Sequence, residues 1–279
     1  MTRNDALIAL LQWYADAGVD EALEARPVDR FSAAPPAAAE SFLGQARPAS
    51  EPPRHAEPPS RPHAPRPEPI APATRATGDK AVFDAREEAA KAQSLAELAE
   101  ILSRFTGCGL RETAKNLCFA DGNPNAPVMF IGEAPGREED IQGKPFVGRA
   151  GQLLDRMLAA IGLDRTQVYI TNIVFWRPPG NRTPTAAEAA VCRPFTERQI
   201  ALVKPRIVVF LGGAAAKHML DTNEGIMRLR GKWRSFECAG QSVRAMATLH
   251  PAYLLRQPQQ KRLAWRDFLQ IKKALDETT

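Results

Sequence analysis

Val128-Met129-Phe130-Ile131 is an unbroken apolar run that leads directly into Gly132-Glu133-Ala134-Pro135-Gly136. Such a run has no polar face, so it predicts a strand buried on both sides and ended by a glycine turn. Three similar runs follow, at Val168–Val174, Ile207–Leu211 and Val243–Leu249. Helical patterns lie between them at Gln152–Ile161, Ala186–Val203 and Ala214–Leu220, with Leu263–Leu275 closing the chain. Another precedes the first strand at Ala92–Phe105, where Leu95, Leu98, Ile101 and Leu102 share a face. Strands alternating with helices predict a three-layer α/β/α sandwich around a mainly parallel four-stranded sheet. The segments Lys232–Glu237 and Val243 onward, joined through Ala239-Gly240, read as a hairpin that would make one sheet edge antiparallel.

Outside this core the composition changes. Asn4 to Gly18 places Leu7, Ile8, Leu10, Leu11 and Tyr14 at helical spacing, predicting an amphipathic helix within residues 1–25. Residues 26–80 are rich in Pro, Ala, Arg and Glu and bury too little apolar surface to offset ordering entropy. They read as a disordered linker in which His55 and His63 are bystanders, and the folded domain is expected over residues 81–279. Helix and linker together suit recruitment of an unidentified protein partner. The chain of 279 residues carries a formal charge of +5 and a pI near 9.2, which favours an acidic partner such as nucleic acid. It has no apolar run of membrane-spanning length and no charged leader before an apolar segment. Four cysteines are too sparse for a secreted disulfide scaffold. A cytoplasmic monomer with no membrane association is the expectation.

In an open α/β sheet, ligands bind beyond the carboxyl ends of the strands. The first strand delivers Glu133 there, followed by Glu138, Glu139 and Asp140; the second delivers Thr171 and Asn172, then Arg177-Pro178-Pro179-Gly180-Asn181-Arg182. Gly212-Gly213 follows the third, and His250-Pro251-Ala252-Tyr253 the last. Each has an ordinary reading as well: a turn carboxylate, a loop-holding amide, a helix cap before proline. Their convergence at one sheet edge favours a site. Two basic groups, Arg228/Arg230/Lys232/Arg234 and Arg256/Lys261/Arg262/Arg266, suit phosphate contacts, as does Arg149 in Gly148-Arg149-Ala150-Gly151. Walker, His-Glu-x-x-His and Gly-x-Ser-x-Gly patterns are absent, which leaves P-loop, zinc-protease and α/β-hydrolase readings without support.

In order and spacing these residues resemble the family 4 uracil-DNA glycosylases from about Leu95 to Leu275. The stretches concerned are Gly122-Asn123-Pro124, Gly132–Gly136 with Glu139-Asp140, Gly143–Leu154, Tyr169–Asn172 with Arg177–Arg182, and His250–Arg256. The resemblance implies base flipping and cleavage of the deoxyuridine N-glycosidic bond, on single- and double-stranded DNA containing uracil. It places Phe146 under the base and Asn172 on the pyrimidine edge, with Gly132 and Ala134 also lining the base. His250 falls near O2. Glu133 is the first choice of catalytic carboxylate and Glu139 the second. Arg149, Arg182, Arg230 and Arg256 are expected on phosphates.

The chain departs from that family at the cluster ligands. The resemblance implies a [4Fe–4S] cluster on four cysteines, but the first and third positions hold Phe105 and Trp176, while Cys108 and Cys192 keep the second and fourth. Cys118 and Cys238 are at no ligand position. The cluster is therefore expected to be absent, with Phe105 and Trp176 filling its space as an apolar plug. A non-catalytic module recognising uracil or abasic DNA is the alternative reading.

Overall fold

The computed structural model describes residues 73–238 and 240–277, so the expected N-terminal helix and nearly all of the expected linker lie outside the described residues. In chain order the elements are α1 (Ala73–Lys91), α2 (Leu95–Arg104), α3 (Leu110–Thr113), β1 (Asp121–Gly122), β2 (Val128–Gly132), α4 (Arg137–Gln142), α5 (Arg149–Ala159) and β3 (Val168–Asn172). Then come α6 (Ala186–Val203), β4 (Ile207–Leu211), α7 (Gly213–Leu220), α8 (Ile226–Leu229), β5 (Trp233–Cys238), β6 (Gln241–Thr248), α9 (Pro251–Arg256) and α10 (Lys261–Asp276).

One sheet runs in the order β1-β3-β2-β4-β6-β5. The four inner strands are parallel, and β1 and β5 pair antiparallel at the two edges. The pattern of apolar runs predicts four mainly parallel strands; the sheet has six and is mixed. The hairpin supplies β5, and β1 is a two-residue pairing of Asp121 and Gly122 that no periodicity marks.

Strands β2, β3 and β4 are buried at every position, which is why they read as continuous apolar runs. Successive residues divide between two cores. Met129, Ile131, Val208, Phe210 and Ala245 face a cluster formed with residues of α1, α2, α6 and α7. Val128, Phe130, Ile170, Val209 and Met246 face Leu154 and Leu158 of α5 and Phe268 and Ile271 of α10. This is the α/β/α layering.

Helix α1 starts at Ala73, inside the stretch that composition assigns to the linker, and its first residues packed against the core are Ala81 and Val82. Pro72 is the last proline of that stretch, so nothing beyond it blocks a helix. Ala85, Ala89 and Ala92 are buried at helical spacing, and their small size lets α1 pack on α6 without a broad apolar face. The helix expected over Ala92–Phe105 begins only at Leu95, because the Ser94 hydroxyl accepts the Glu97 N–H at 3.2 Å and caps it.

Candidate active site

Strand β2 is central, with β3 on one side and β4 on the other, so the connections reverse direction across it. The crevice beyond its carboxyl end is where such a sheet binds ligands. Gly132 ends β2 and pairs in register with Asn172, the last residue of β3. The ladder continues past both strands: Ile173 N–H donates to the Gly132 carbonyl at 3.0 Å and Val174 N–H to that of Glu133 at 3.1 Å. These bonds fix the backbone that carries Glu133 and Asn172.

Glycine at 132 is a steric requirement. A Cβ there would lie 2.3 Å from Asn172 Oδ1 and 2.5 Å from Phe146 Cζ. The amide and the ring therefore meet directly over Gly132. Asn172 is 1% exposed, and its Oδ1 is buried with no hydrogen-bond partner. An unsatisfied buried acceptor costs about 1–3 kcal/mol, so this oxygen keeps a hydrogen-bonding capacity that the protein itself leaves unfilled.

Phe146 is buried and adopts a left-handed φ of +55°, unusual for an aromatic residue. Its loop is tied to the first turn of α4 through Glu139. One Glu139 oxygen accepts the Val147 and Gly148 N–H groups at 3.0 and 2.8 Å, and the other accepts the Gly136 N–H at 3.1 Å. With both oxygens engaged by backbone, Glu139 serves as a brace between two cleft loops. That is a different task from the acid–base role for which it is the second choice above.

His250 caps α9, its Nδ1 accepting the Ala252 N–H at 3.1 Å. The proton of the neutral ring is then on Nε2, which leaves a donor on the opposite side. Burial holds its pKa down at about 4, with the Arg256 charge acting in the same direction. The ring centroid is 5.6 Å from that of Phe146. Gly212, at φ +94°, allows this approach, since a Cβ there would sit 2.9 Å from His250 Cβ. Glu133 is half-buried; burial raises its carboxyl pKa, and a hydrogen bond with the Thr183 side chain opposes the rise. Thr183 carries no signal in sequence beyond standing next to Arg182.

Glu133, Glu139, Phe146, Asn172, His250 and Arg256 all line one cleft of about 590 Å³, with Ala134 and Arg182 at its wall. A family model described as the uracil DNA glycosylase superfamily matches residues 119–269. A type-4 uracil-DNA glycosylase of Archaeoglobus fulgidus is 40% identical over 183 residues, spanning 64% of this chain and 92% of that protein.

The chain belongs to this superfamily, in its type-4 branch.

A type-4 relative from Thermotoga maritima is 42% identical over 165 residues, 57% of this chain and 84% of the relative. A type-5 uracil-DNA glycosylase of Pyrobaculum aerophilum is 32% identical over 148 residues, 48% and 64% respectively.

The four arginines that this family member was expected to place on phosphate separate. Arg256 lines the cleft and Arg149 is exposed at the start of α5. Arg182 also lines the cleft, paired with Glu188 at 2.7 and 2.8 Å. Arg230 turns inward: its guanidinium pairs with Asp267, which is fully buried, and donates to the Leu263 carbonyl at 2.6 Å. It belongs to the interior, a partnership set by a residue 37 positions away that its local sequence does not announce.

The cysteine positions of this type-4 chain are equally specific. Cys108 and Cys192 are buried with their sulfurs 3.8 Å apart. The Cys192 thiol donates to Cys108, which lowers the pKa of Cys108 and raises that of Cys192. Phe105 packs edge-on against Phe195 with ring centroids 5.1 Å apart, and Trp176 against Phe175 at 6.4 Å, all within the same apolar cluster as the two sulfurs. Cys118 lies outside that cluster and Cys238 within it; their thiols donate to the carbonyls of Glu139 and Glu197, and burial pushes each up to about 12. Among the described residues no group of three or more His, Cys, Asp or Glu side chains is placed to hold a metal ion. A cubane cluster takes four thiolates, so the residues present do not fit one. No helix among the described residues is long and apolar enough to cross a membrane.

Proposed function

We propose that this chain hydrolyses the N-glycosidic bond of deoxyuridine in DNA, so that water adds across it and leaves free uracil and an abasic sugar. The observation that carries the reading is the partnerless Oδ1 of Asn172, buried beside an aromatic ring within the cleft. Uracil offers an N3–H donor next to the O4 acceptor, so Asn172 Oδ1 accepts from N3 while its amide nitrogen donates to O4. Cytosine reverses that pattern and is rejected. Phe146 stacks on the extruded base, an interaction of about 1–3 kcal/mol.

As the bond breaks, uracil leaves as an anion with charge on O2. The Nε2–H of His250 is a preorganised donor for that oxygen, and its low pKa keeps the ring neutral at physiological pH. The sugar becomes oxocarbenium-like. Glu133, ionised, stabilises it and orients the attacking water, whose hydroxyl goes to C1′ while a proton goes to uracil. Ala134 and Glu139 stand at the cleft wall, where bulk excludes the C5 methyl of thymine. Arg256 and Arg149 hold the phosphates, and both single- and double-stranded DNA are substrates.

The test is incubation of the purified chain with uracil-containing single- and double-stranded oligonucleotides, followed by alkali to cut abasic sites. Uracil-dependent cleavage is expected on both. Intact strands at high enzyme concentration would leave only a binding module.

A further inference from the structure

Arg165 lies between α5 and β3, away from every motif that marks the site. Its guanidinium is anchored on two carboxylates from different elements, Asp155 of α5 at 2.8 Å and Asp121 of β1 at 2.6 Å. The rest of its donor capacity points at the loop before α5: Nη1 lies 3.4 Å from the Pro145 carbonyl, and Nη2 donates to the carbonyl of Phe146. A Cβ at Gly151 would stand 1.7 Å from that same oxygen. The Phe146 peptide thus accepts from a doubly anchored guanidinium and packs against a position that only glycine can occupy. It is also the peptide whose residue has a φ of +55°. The conformation aims the ring at Gly132 and His250, and Glu139 fixes only the two N–H groups that follow.

We propose that Arg165 is a positioning residue for base stacking: it holds the left-handed Phe146 peptide, and through it the ring, in the geometry that meets an extruded base. This rests on Phe146 being the stacking platform, as in the function proposed above. A guanidinium fork is required, because a lysine ammonium cannot serve two carboxylates and a carbonyl in one plane.

The test is a double-mutant cycle of Arg165→Met and Phe146→Ala, read by single-turnover uracil release and by hydrogen exchange of the free protein. Arg165→Met is expected to slow release about 30-fold, in line with the cost of a sub-ångström to 1 Å misplacement. The double variant should be no slower than Phe146→Ala alone, and Arg165→Lys should recover the rate only in part. The Val147 and Gly148 amides should lose protection in Arg165→Met while those of β3 keep theirs. Multiplicative effects in the double variant, or unchanged exchange at Val147 and Gly148, overturn the proposal. If the wild-type chain releases no uracil, the catalytic reading fails, and the exchange measurement alone still decides whether Arg165 holds the Phe146 peptide. If Arg165→Met does not fold, Arg165→Lys carries the same comparison.

Discussion

A single methyl group added at Gly132 tests the site's geometry without removing any of its chemistry. In Gly132→Ala the new Cβ would lie 2.3 Å from Asn172 Oδ1 and 2.5 and 2.7 Å from two ring carbons of Phe146. That is roughly 1 Å inside ordinary van der Waals contact with each, so both groups must move. Neither has room to do so freely, since Asn172 is 1% and Phe146 5% exposed and the Gly132 and Asn172 backbones are paired. Overpacking of this kind costs about 1–3 kcal/mol of stability. For a domain of this size that is a fall in Tm of about 2–10 °C. The effect on chemistry is larger. A displacement of about 1 Å at a reacting centre costs on the order of 100-fold in rate. Single-turnover release of uracil from a labelled oligonucleotide, with abasic sites cut by alkali, measures it, while thermal unfolding reports on the fold. A Gly132→Ala protein that unfolds normally and releases uracil within threefold of the wild-type rate would refute the reasoning. In that case the amide and ring facing each other over Gly132 could not be the groups that hold the base.

Three further outcomes follow from the same geometry. His250, with its pKa at about 4 instead of the usual 6.5 or so, stays neutral in the folded protein while the unfolded chain protonates. Stability linked to His250 is therefore complete above pH 6.5 or so and declines by about 3 kcal/mol as pH falls to about 4, a slope that His250→Gln should abolish in urea titrations across that range. Burial raises the Glu133 carboxyl, so the rate should fall on the acid side with a midpoint above that of an ordinary glutamate. Glu133→Gln should remove this limb and slow release at neutral pH by at least tenfold; an unchanged limb would assign it to another group. Asp267→Ala leaves Arg230 buried without its partner and is expected to destabilise the fold by about 3–5 kcal/mol by denaturant unfolding, a loss too large for a surface ion pair.

How much was legible in the sequence depended on how local each determinant is. Strand β4 has the bounds its apolar run predicts because it is buried throughout. Helix α6 begins and ends as predicted because Thr185 and Glu188 form a reciprocal cap at its start. Strand β3 is shorter than its run: Ile173 and Val174 are buried and still bond to the β2 side, but beyond the regular strand. Helix α1 escaped the pattern because alanines form its buried face, and β1 because two residues carry no period. At the site, the strand-end rule placed Glu133, Asn172 and His250 at one edge of the sheet. The ion pair of Arg230 with Asp267 and the backbone bonds of Glu139 were not legible for one shared reason: a charged side chain in sequence carries no mark of whether its partner is solvent, a buried carboxylate or backbone. For His250 the ordinary reading and the proposed one are compatible. Its Nδ1 caps α9, and that same bond leaves the proton on Nε2.

That principle extends to the lost cluster ligands. A site whose strand ends depended on a cluster would not keep its geometry after two of four ligands became aromatic. Here the backbone carrying Asn172 and Glu133 is held by other means. The Ile173 and Val174 amides bond to the Gly132 and Glu133 carbonyls, and the Thr196 hydroxyl of α6 donates to the Ile173 carbonyl at 3.3 Å. Trp176 is buried only four residues beyond Asn172, and the chain between them, Ile173 to Phe175, is buried too. An aromatic packed there can anchor the segment leading to Thr183 as a metal–thiolate bond would, by filling space in the apolar cluster that also holds Phe105, Cys108 and Phe195 instead of by coordination. Backbone hydrogen bonds and apolar packing thus hold this segment in a chain whose residues at positions 105 and 176 are aromatic. Purified protein should accordingly lack the visible absorption and stoichiometric iron of a cluster while releasing uracil. Stoichiometric iron, or activity that appears only after iron and sulfide are supplied, would show that the cleft still depends on the metal.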